Sequence, residues 1–225
     1  GKLGMKAEQE TTIEEVSATH NAYLRLREMI LTGTLPPGQK LKIEQLRTLL
    51  KTGASPIREA LSLLTSDLLV ESFDQRGFRA APVGKANFDE VLILRCTLEE
   101  VALRASIKNA NQDWEEMLGL AHYRMKKAQD DGVPDFEVVH KKFHMALICN
   151  AQLPTLERYC WQLYDLKIRY RYLAAGGPNY DKRRIATEHE ESCNAVLAHD
   201  PDRATELLVE HYHRTGAYLS RQMDN

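Results

Sequence analysis

The chain has 225 residues, 43% of them hydrophobic and 28% charged, which allows two modest domains or one large one and excludes a low-complexity or fibrous protein. Its net charge of −2 excludes a uniformly basic nucleic-acid binder, yet residues 20–83 hold nine Lys and Arg against six Asp and Glu, a basic region on an otherwise acidic chain. No run of about 18 apolar residues is present, Gly1 to Ala7 lacks the apolar stretch of a secretory signal, and four scattered cysteines without a CxxC pair suit reduced thiols, so no membrane contact and a cytoplasmic location are expected.

Residues 1–19 are Glu-rich and polar without a stable apolar period, and a flexible N-terminal arm is expected there. From Asn21 the pattern tightens: Tyr23, Leu24, Arg27, Ile30 and Leu31 suit a short amphipathic helix, stopped by Gly33 and then by Pro36-Pro37-Gly38. A second short helix runs from about Ile43 to Lys51 with Leu46, Leu49 and Leu50 inward, and Thr52-Gly53-Ala54 is the turn. Ser55-Pro56 reads as an N-cap followed by Pro at the first helical position. The third helix then buries Ile57, Ala60, Leu61, Leu64 and Leu68. After Leu69 the period shifts towards two: Val70-Glu71-Ser72-Phe73 and Phe78-Arg79-Ala80-Ala81 flank Asp74-Gln75-Arg76-Gly77, a β-hairpin with Gly at the tight position. Pro82-Val83-Gly84 marks a boundary between a domain over 20–83 and one over 84–225. The second domain has no strand pattern and reads as an all-α bundle, with helices over about 87–109, 111–130, 135–150, 154–174, 180–199 and 201–222. Asp200 caps the last of these, with Pro201 at its first position.

Helix, helix, turn, helix and hairpin in that order suit the major groove of DNA, which admits one helix. The third helix leaves Ser55, Arg58, Glu59 and Ser62 outside its buried stripe. Arg58 sits in the first turn, the part of a recognition helix that reaches base edges, where a bidentate arginine–guanine pair discriminates by about 1–3 kcal/mol. Arg27, Lys51, Thr52 and Ser55 are candidate phosphate contacts, which position a protein without reading sequence. These residues carry a resemblance. Arg27-Glu28-Met29-Ile30, Gly33, Leu35, Pro37-Gly38 and Leu41, then Pro56-Ile57-Arg58-Glu59-Ala60-Leu61 and Leu64, then Arg76-Gly77-Phe78, resemble the start of GntR-family transcription regulators. The resemblance implies a winged helix-turn-helix in which Arg58 reads operator bases and the wing tip, Gln75, Arg76 and Gly77, touches the minor groove. Two departures stand out: Gly53 and Ala54 occupy positions where the family often has Ser and a base, and the usual Gly before the first wing strand is replaced within Asp67-Leu68-Leu69.

In the second domain the histidines carry the chemical signal. His140 and His144 are four apart and share a helix face, His189 lies in the next-to-last helix, and His211 falls on the inward stripe of the last helix with Ala204, Leu207, Leu208, Thr215 and Tyr218, whereas His213 faces out. Imidazoles projecting inward from several helices are a reasonable ligand set for a divalent metal. Each alone is more often a core or surface histidine, and it is four inward positions on three helices that make a metal an even reading. Arg95-x-x-Leu98-Glu99, Phe143-His144-x-x-Leu147, Asn150, Glu188-His189 and Ala204 with His211 resemble the FCD effector domain of the FadR-type GntR branch. That resemblance implies a metal, zinc or nickel, held by His144, His189 and His211, with His140 at the place usually taken by Asp. It also implies a small organic acid as effector, for which Arg95 is the candidate carboxylate contact. Arg95 can instead pair with Glu99 at i+4 on the surface. The stretch from Tyr164 to Tyr172 interleaves aromatic and basic residues and reads as a core and dimer face.

The sequence thus reads as a mainly α protein, a winged helix-turn-helix followed by a helical effector domain: a DNA-binding repressor acting as a homodimer on near-palindromic operator DNA, under control of the acid. The rival is a metal-dependent hydrolase built on the histidines. It needs a general base, and Glu188, the one adjacent carboxylate, is expected to point away from the metal.

Overall fold

A computed structural model describes residues 2–74, 77–132, 136–174 and 182–223, with side chains described from residue 15 onward. The chain divides into two compact units, Gly1–Gly84 with Ile168–Leu173, and Lys85–Lys167 with Ala174–Asn225. The first contains α1 (Lys2–Leu31), β1 (Lys40–Leu41), α2 (Ile43–Leu50), α3 (Ala54–Ser66), β2 (Val70–Phe73) and β3 (Gly77–Ala80). The strands form one antiparallel sheet in the order β1-β3-β2, with Leu41 opposite Phe78 and Val70 opposite Ala80. Three helices and a three-stranded wing make this unit a winged helix-turn-helix. Its core is Leu26 and Ile30 from α1, Leu46 and Leu50 from α2, Ile57, Ala60, Leu61 and Leu64 from α3, closed by Leu69 and Val70.

Several local expectations are corrected, among them the inward positions of Leu49 and Leu68, which are 52% and 60% exposed, Leu68 because α3 ends at Ser66 and the chain turns left-handed there. The flexible arm over 1–19 is helical from Lys2, continuous with the packed half of α1. No Gly or Pro interrupts the chain between Met5 and Leu31, and Lys6, Ala7, Glu8, Gln9 and Glu10 are strong helix formers, so a helix nucleated by packing propagates through them without an apolar stripe. The N-cap of α3 is Gly53 in extended conformation, not Ser55, which places Pro56 third in the helix. Proline is tolerated there because first-turn N–H groups have no partner four residues back. Among the described residues of the hairpin the left-handed one is Asp74 (φ 41°), while Gly77 pairs with Phe73 as the first residue of β3; aspartate tolerates that conformation. Strand β1 adds an element that the sequence does not announce, since two residues carry no period. Gln75 and Arg76, the expected wing-tip contacts, lie outside the described residues.

The second unit is helical: α4 (Lys85–Lys108), α5 (Gln112–Asp130), α6 (Phe136–Ile148), α7 (Pro154–Ala174), α8 (Lys182–Leu197) and α9 (Pro201–Met223). Asn111 caps α5 by accepting from Trp114 N, and Asp200 caps α9 by accepting from Arg203 N at 3.1 Å. Gly216 lets α9 approach α4, for a Cβ there would meet Leu92 Cδ2 at 2.8 Å. Along α7, whose Ile168–Leu173 stretch groups with the first unit, Tyr164 and Leu166 are buried in the second unit and Tyr172 is exposed. The α4, α6, α8 and α9 faces that meet inside the bundle are not purely apolar. Arg95, Glu99, His140, His144, Glu188, His189 and His211 are all buried among Leu103, Phe143 and Leu208.

Candidate functional site

In the winged helix, α3 buries the stripe Ile57, Ala60, Leu61 and Leu64 and leaves Ser55, Arg58, Glu59 and Ser62 exposed on the other side. Glu59 accepts from Thr19 Oγ1 of α1 at 2.9 Å. Lys51, the C-cap of α2, is exposed and left-handed (φ 52°), Thr52 is half-buried, and both line an open groove with Glu44, Arg47, Thr48 and Gly53. Arg47, whose guanidinium lies 3.1 Å from Glu44, has no signal in the sequence because nothing distinguishes a solvated basic residue on a short helix. Arg27 is half-buried on α1, one helical turn before the buried Ile30 and Leu31. In the wing, Arg79 bridges to Glu71 at 2.5 Å and lies over the Phe73 ring at 4.5 Å, so a basic residue is tied to the sheet.

The second constellation is in the bundle. His140 and His144 of α6 and His189 of α8 are buried with ligand atoms within 4.8 Å of one another. Nε2 of His140 and Nε2 of His144 stand 3.0 Å apart. His211 of α9 completes the group: its ring centroid is 4.6 Å from that of His189 and 6.0 Å from that of His144. Four imidazoles from three helices therefore converge inside one bundle, as the i, i+4 spacing and the inward register of position 211 implied. His213 is exposed. Burial, and then the neighbouring His189, Arg95 and His211, hold the His144 pKa well below the ordinary histidine value, so this ring is neutral, the form that binds metals. The donor set fits a borderline divalent ion: buried imidazole nitrogens, with those of His140, His144 and His189 within 4.8 Å of one another.

Around the imidazoles lies a shell that sequence reasoning mostly missed. Glu188 does not point away from the cluster: its Oε2 is 2.8 Å from His211 Nδ1. It does diverge from His189, as the helical offset requires, but the carboxylate reaches a histidine of the neighbouring helix instead. Glu137 Oε2 is 3.3 Å and Tyr164 Oη 3.0 Å from His140 Nδ1. Tyr212 Oη is 3.1 Å from His144 Nδ1 and donates to Glu99 Oε1 at 3.0 Å. Of these, only the i−3 position of Glu137 was available as a sequence signal. Arg95 is not at the surface. It is 2% exposed, its Nε lies 2.9 Å from Glu99 Oε2, and its guanidinium covers the Tyr212 ring at 3.8 Å. Neither Nε nor Nη2 has a hydrogen-bond partner among the described residues, so the Glu99 contact is ionic and misaligned. Burial raises the Glu99 pKa, while Arg95 and the hydrogen bond from Tyr212 oppose that shift. A small cavity beside Arg95 is lined by Phe88, Leu92, Lys167, Tyr212, Thr215 and Gly216.

Comparison with known proteins divides along the same line as the fold. Residues 18–79 match the sequence model of bacterial regulatory proteins of the gntR family, and residues 90–214 match that of the FCD domain. The uncharacterised HTH-type transcriptional regulator BphR of Paraburkholderia xenovorans is 33% identical over 196 residues, 84% of this chain and 80% of that protein. The HTH-type transcriptional repressor GlaR of Escherichia coli is 27% identical over 199 residues, 85% of this chain and 90% of that one. Among solved structures, E. coli McbR/YncC superposes with a TM-score of 0.79 at 23% identity, covering 91% of this chain and 98% of that chain, a likeness of fold.

Proposed function

Since the chain belongs to the GntR family of transcription regulators and carries an FCD domain, we propose that it is a repressor whose hold on operator DNA is set by a small organic acid bound at a metal-containing histidine centre. The observation that carries the proposal is the buried convergence of His140, His144, His189 and His211 within the residues that match the FCD domain. Those four side chains would hold zinc or nickel, and the ion would supply a Lewis-acidic point that an acid's carboxylate can join. The Arg95 edge, buried without a hydrogen-bond partner among the described residues, would take a carboxylate oxygen.

On DNA, Arg58 is the base-reading residue, with Arg27, Lys51, Thr52 and Ser55 on phosphates and Gln75, Arg76 and Gly77 at the wing tip. The exposure of Arg58 on the face of α3 opposite its buried stripe supports this assignment. A homodimer in the cytoplasm would present two such helices to a near-palindromic site. Ligand control requires only that the acid bind the DNA-competent and DNA-incompetent states with different affinity. A hydrolase built on the same histidines has no support from the relatives, since both family models and the relatives described are transcription regulators.

The test is a thermal-shift screen of organic acids against the full chain with and without zinc or nickel. At least one acid should raise the melting temperature, more so with the ion present, and His144→Ala should abolish the ion-dependent part. No response to any acid under either condition would remove the sensor from the proposal and leave only the DNA-binding module.

A further inference from the structure

Three of the four buried imidazoles have their Nδ1 atoms engaged from outside the cluster, and at His211 and His144 the geometry of the partner favours a hydrogen on Nδ1. Glu188 Oε2 is 2.8 Å from His211 Nδ1, and Glu137 Oε2 is 3.3 Å from His140 Nδ1. A carboxylate oxygen takes a hydrogen bond from an Nδ1–H, which suits His211; at His140 the Tyr164 hydroxyl stands 3.0 Å from the same Nδ1, so Glu137 and Tyr164 share that edge. At His144 the same result comes through a hydroxyl. Tyr212 has one hydrogen and donates it to Glu99 Oε1 at 3.0 Å; towards His144 Nδ1, 3.1 Å away, it can only accept. Arg95, with its guanidinium over the Tyr212 ring and its Nε 2.9 Å from Glu99 Oε2, packs against both members of that chain and opposes the burial that raises the Glu99 pKa. The other oxygen of Glu188 lies 3.4 Å from Arg214 and 3.7 Å from Arg184, which orients the carboxylate.

With hydrogen on Nδ1, Nε2 of His144 and of His211 is the lone-pair nitrogen. The Nε2 atoms of His140 and His144 are 3.0 Å apart, where two lone pairs repel unless a proton or a cation is shared between them. Four neutral imidazoles around a divalent ion also leave its full charge buried, which is costly without anions close by.

We propose that Glu137, Glu188 and the Tyr212–Glu99 pair are positioning residues of the histidine centre: they set the Nδ1–H tautomers that turn Nε2 inward, and they supply from outside the ligand shell the negative charge that an all-histidine shell lacks. The inference rests on the reading of the histidines as metal donors and assigns what that reading leaves open. Outer-shell partners of this kind change metal affinity by about 10–100-fold when removed.

The experiment uses the full chain and two variants on different helices, Tyr212→Phe and Glu188→Ala, each checked for native helicity by circular dichroism. Zn2+ affinity is measured by competition with a chromophoric chelator, and Co2+ absorption reports the ligand geometry. Both variants should bind Zn2+ about 10–100-fold more weakly and shift the Co2+ bands, with Glu188→Gln, which keeps an accepting oxygen, falling between. In the metal-free protein, 1H–15N correlation of the imidazoles should find His144 as the Nδ1–H tautomer, a state that Tyr212→Phe removes. Variants that bind Zn2+ as tightly as the natural chain with identical Co2+ spectra would overturn the positioning proposal while leaving the histidine centre standing. A natural chain that binds neither ion would overturn the centre itself. In that event, His144 found as Nε2–H would also dispose of the tautomer argument.

Discussion

Glu188 is adjacent to His189 in sequence but hydrogen-bonds His211 on another helix. Adjacent residues on a helix diverge by about 100°, so sequence can say that Glu188 and His189 face differently but not which neighbouring helix stands on the Glu188 side. Arg95 makes the same point. Its i+4 relation to Glu99 is visible in the sequence, whereas burial of both partners follows from the packing of α4 against α9. Replacing Arg95 by Met should cost about 3–5 kcal/mol in urea denaturation, because it strands the Glu99 charge, and Arg95→Met with Glu99→Leu should recover most of that deficit. A single variant as stable as the natural chain would mean that the pair is not buried in solution. The thiols give a second residue-scale expectation. Burial pushes the Cys160 thiol up to about 12 and those of Cys96 and Cys193 up to about 11, and Cys149 is the one thiol left half-buried. In the native chain at pH 8 a disulfide reagent should therefore label Cys149 first and the other three only on unfolding; early labelling that survives Cys149→Ser would contradict the burial pattern.

At the scale of elements, the helix positions followed from periodicity, and what the sequence misjudged was how α1 and α3 begin and where α3 stops burying leucines, before Leu68. The arm became part of α1 because helix propagation needs good formers rather than an apolar face, and the N-cap of α3 moved to Gly53 because a proline early in a helix fixes no exact register. The departure at Asp67-Leu68-Leu69 has a structural consequence: Leu68 is left-handed (φ 64°) and 60% exposed, just before the wing. A side chain in that conformation costs about 1–2 kcal/mol, partly offset against glycine by the larger chain entropy of glycine when unfolded. Leu68→Gly should therefore raise the melting temperature, a gain of about 0.5–1 kcal/mol, because the exposed leucine adds little to the core. A lower melting temperature would imply that this side chain is covered in solution, for instance by a second copy of the chain.

For the whole molecule, a basic region of 20–83 and an acidic remainder divide the charge much as the gntR-family match over 18–79 and the FCD match over 90–214 divide the chain. On an operator duplex selected from a random library with the natural chain, Arg58→Ala should cost about 1–3 kcal/mol and relax preference at one base pair, whereas Lys51→Ala should weaken all duplexes alike and reduce the salt slope by about one. Equal reduction of affinity and of sequence preference in both variants would break the division into base-reading and phosphate-binding residues. The sequence by itself determined the two-part organisation, the winged helix-turn-helix, the bundle and the identity of the four histidines, because apolar period, turn residues and i, i+4 spacing are local properties of a chain. Only the tertiary structure decided that Glu137, Glu188, Tyr212 and Glu99 stand behind those histidines and that Arg95 is sealed inside. Those contacts join residues as far as 113 positions apart, and no local periodicity encodes which helix faces meet.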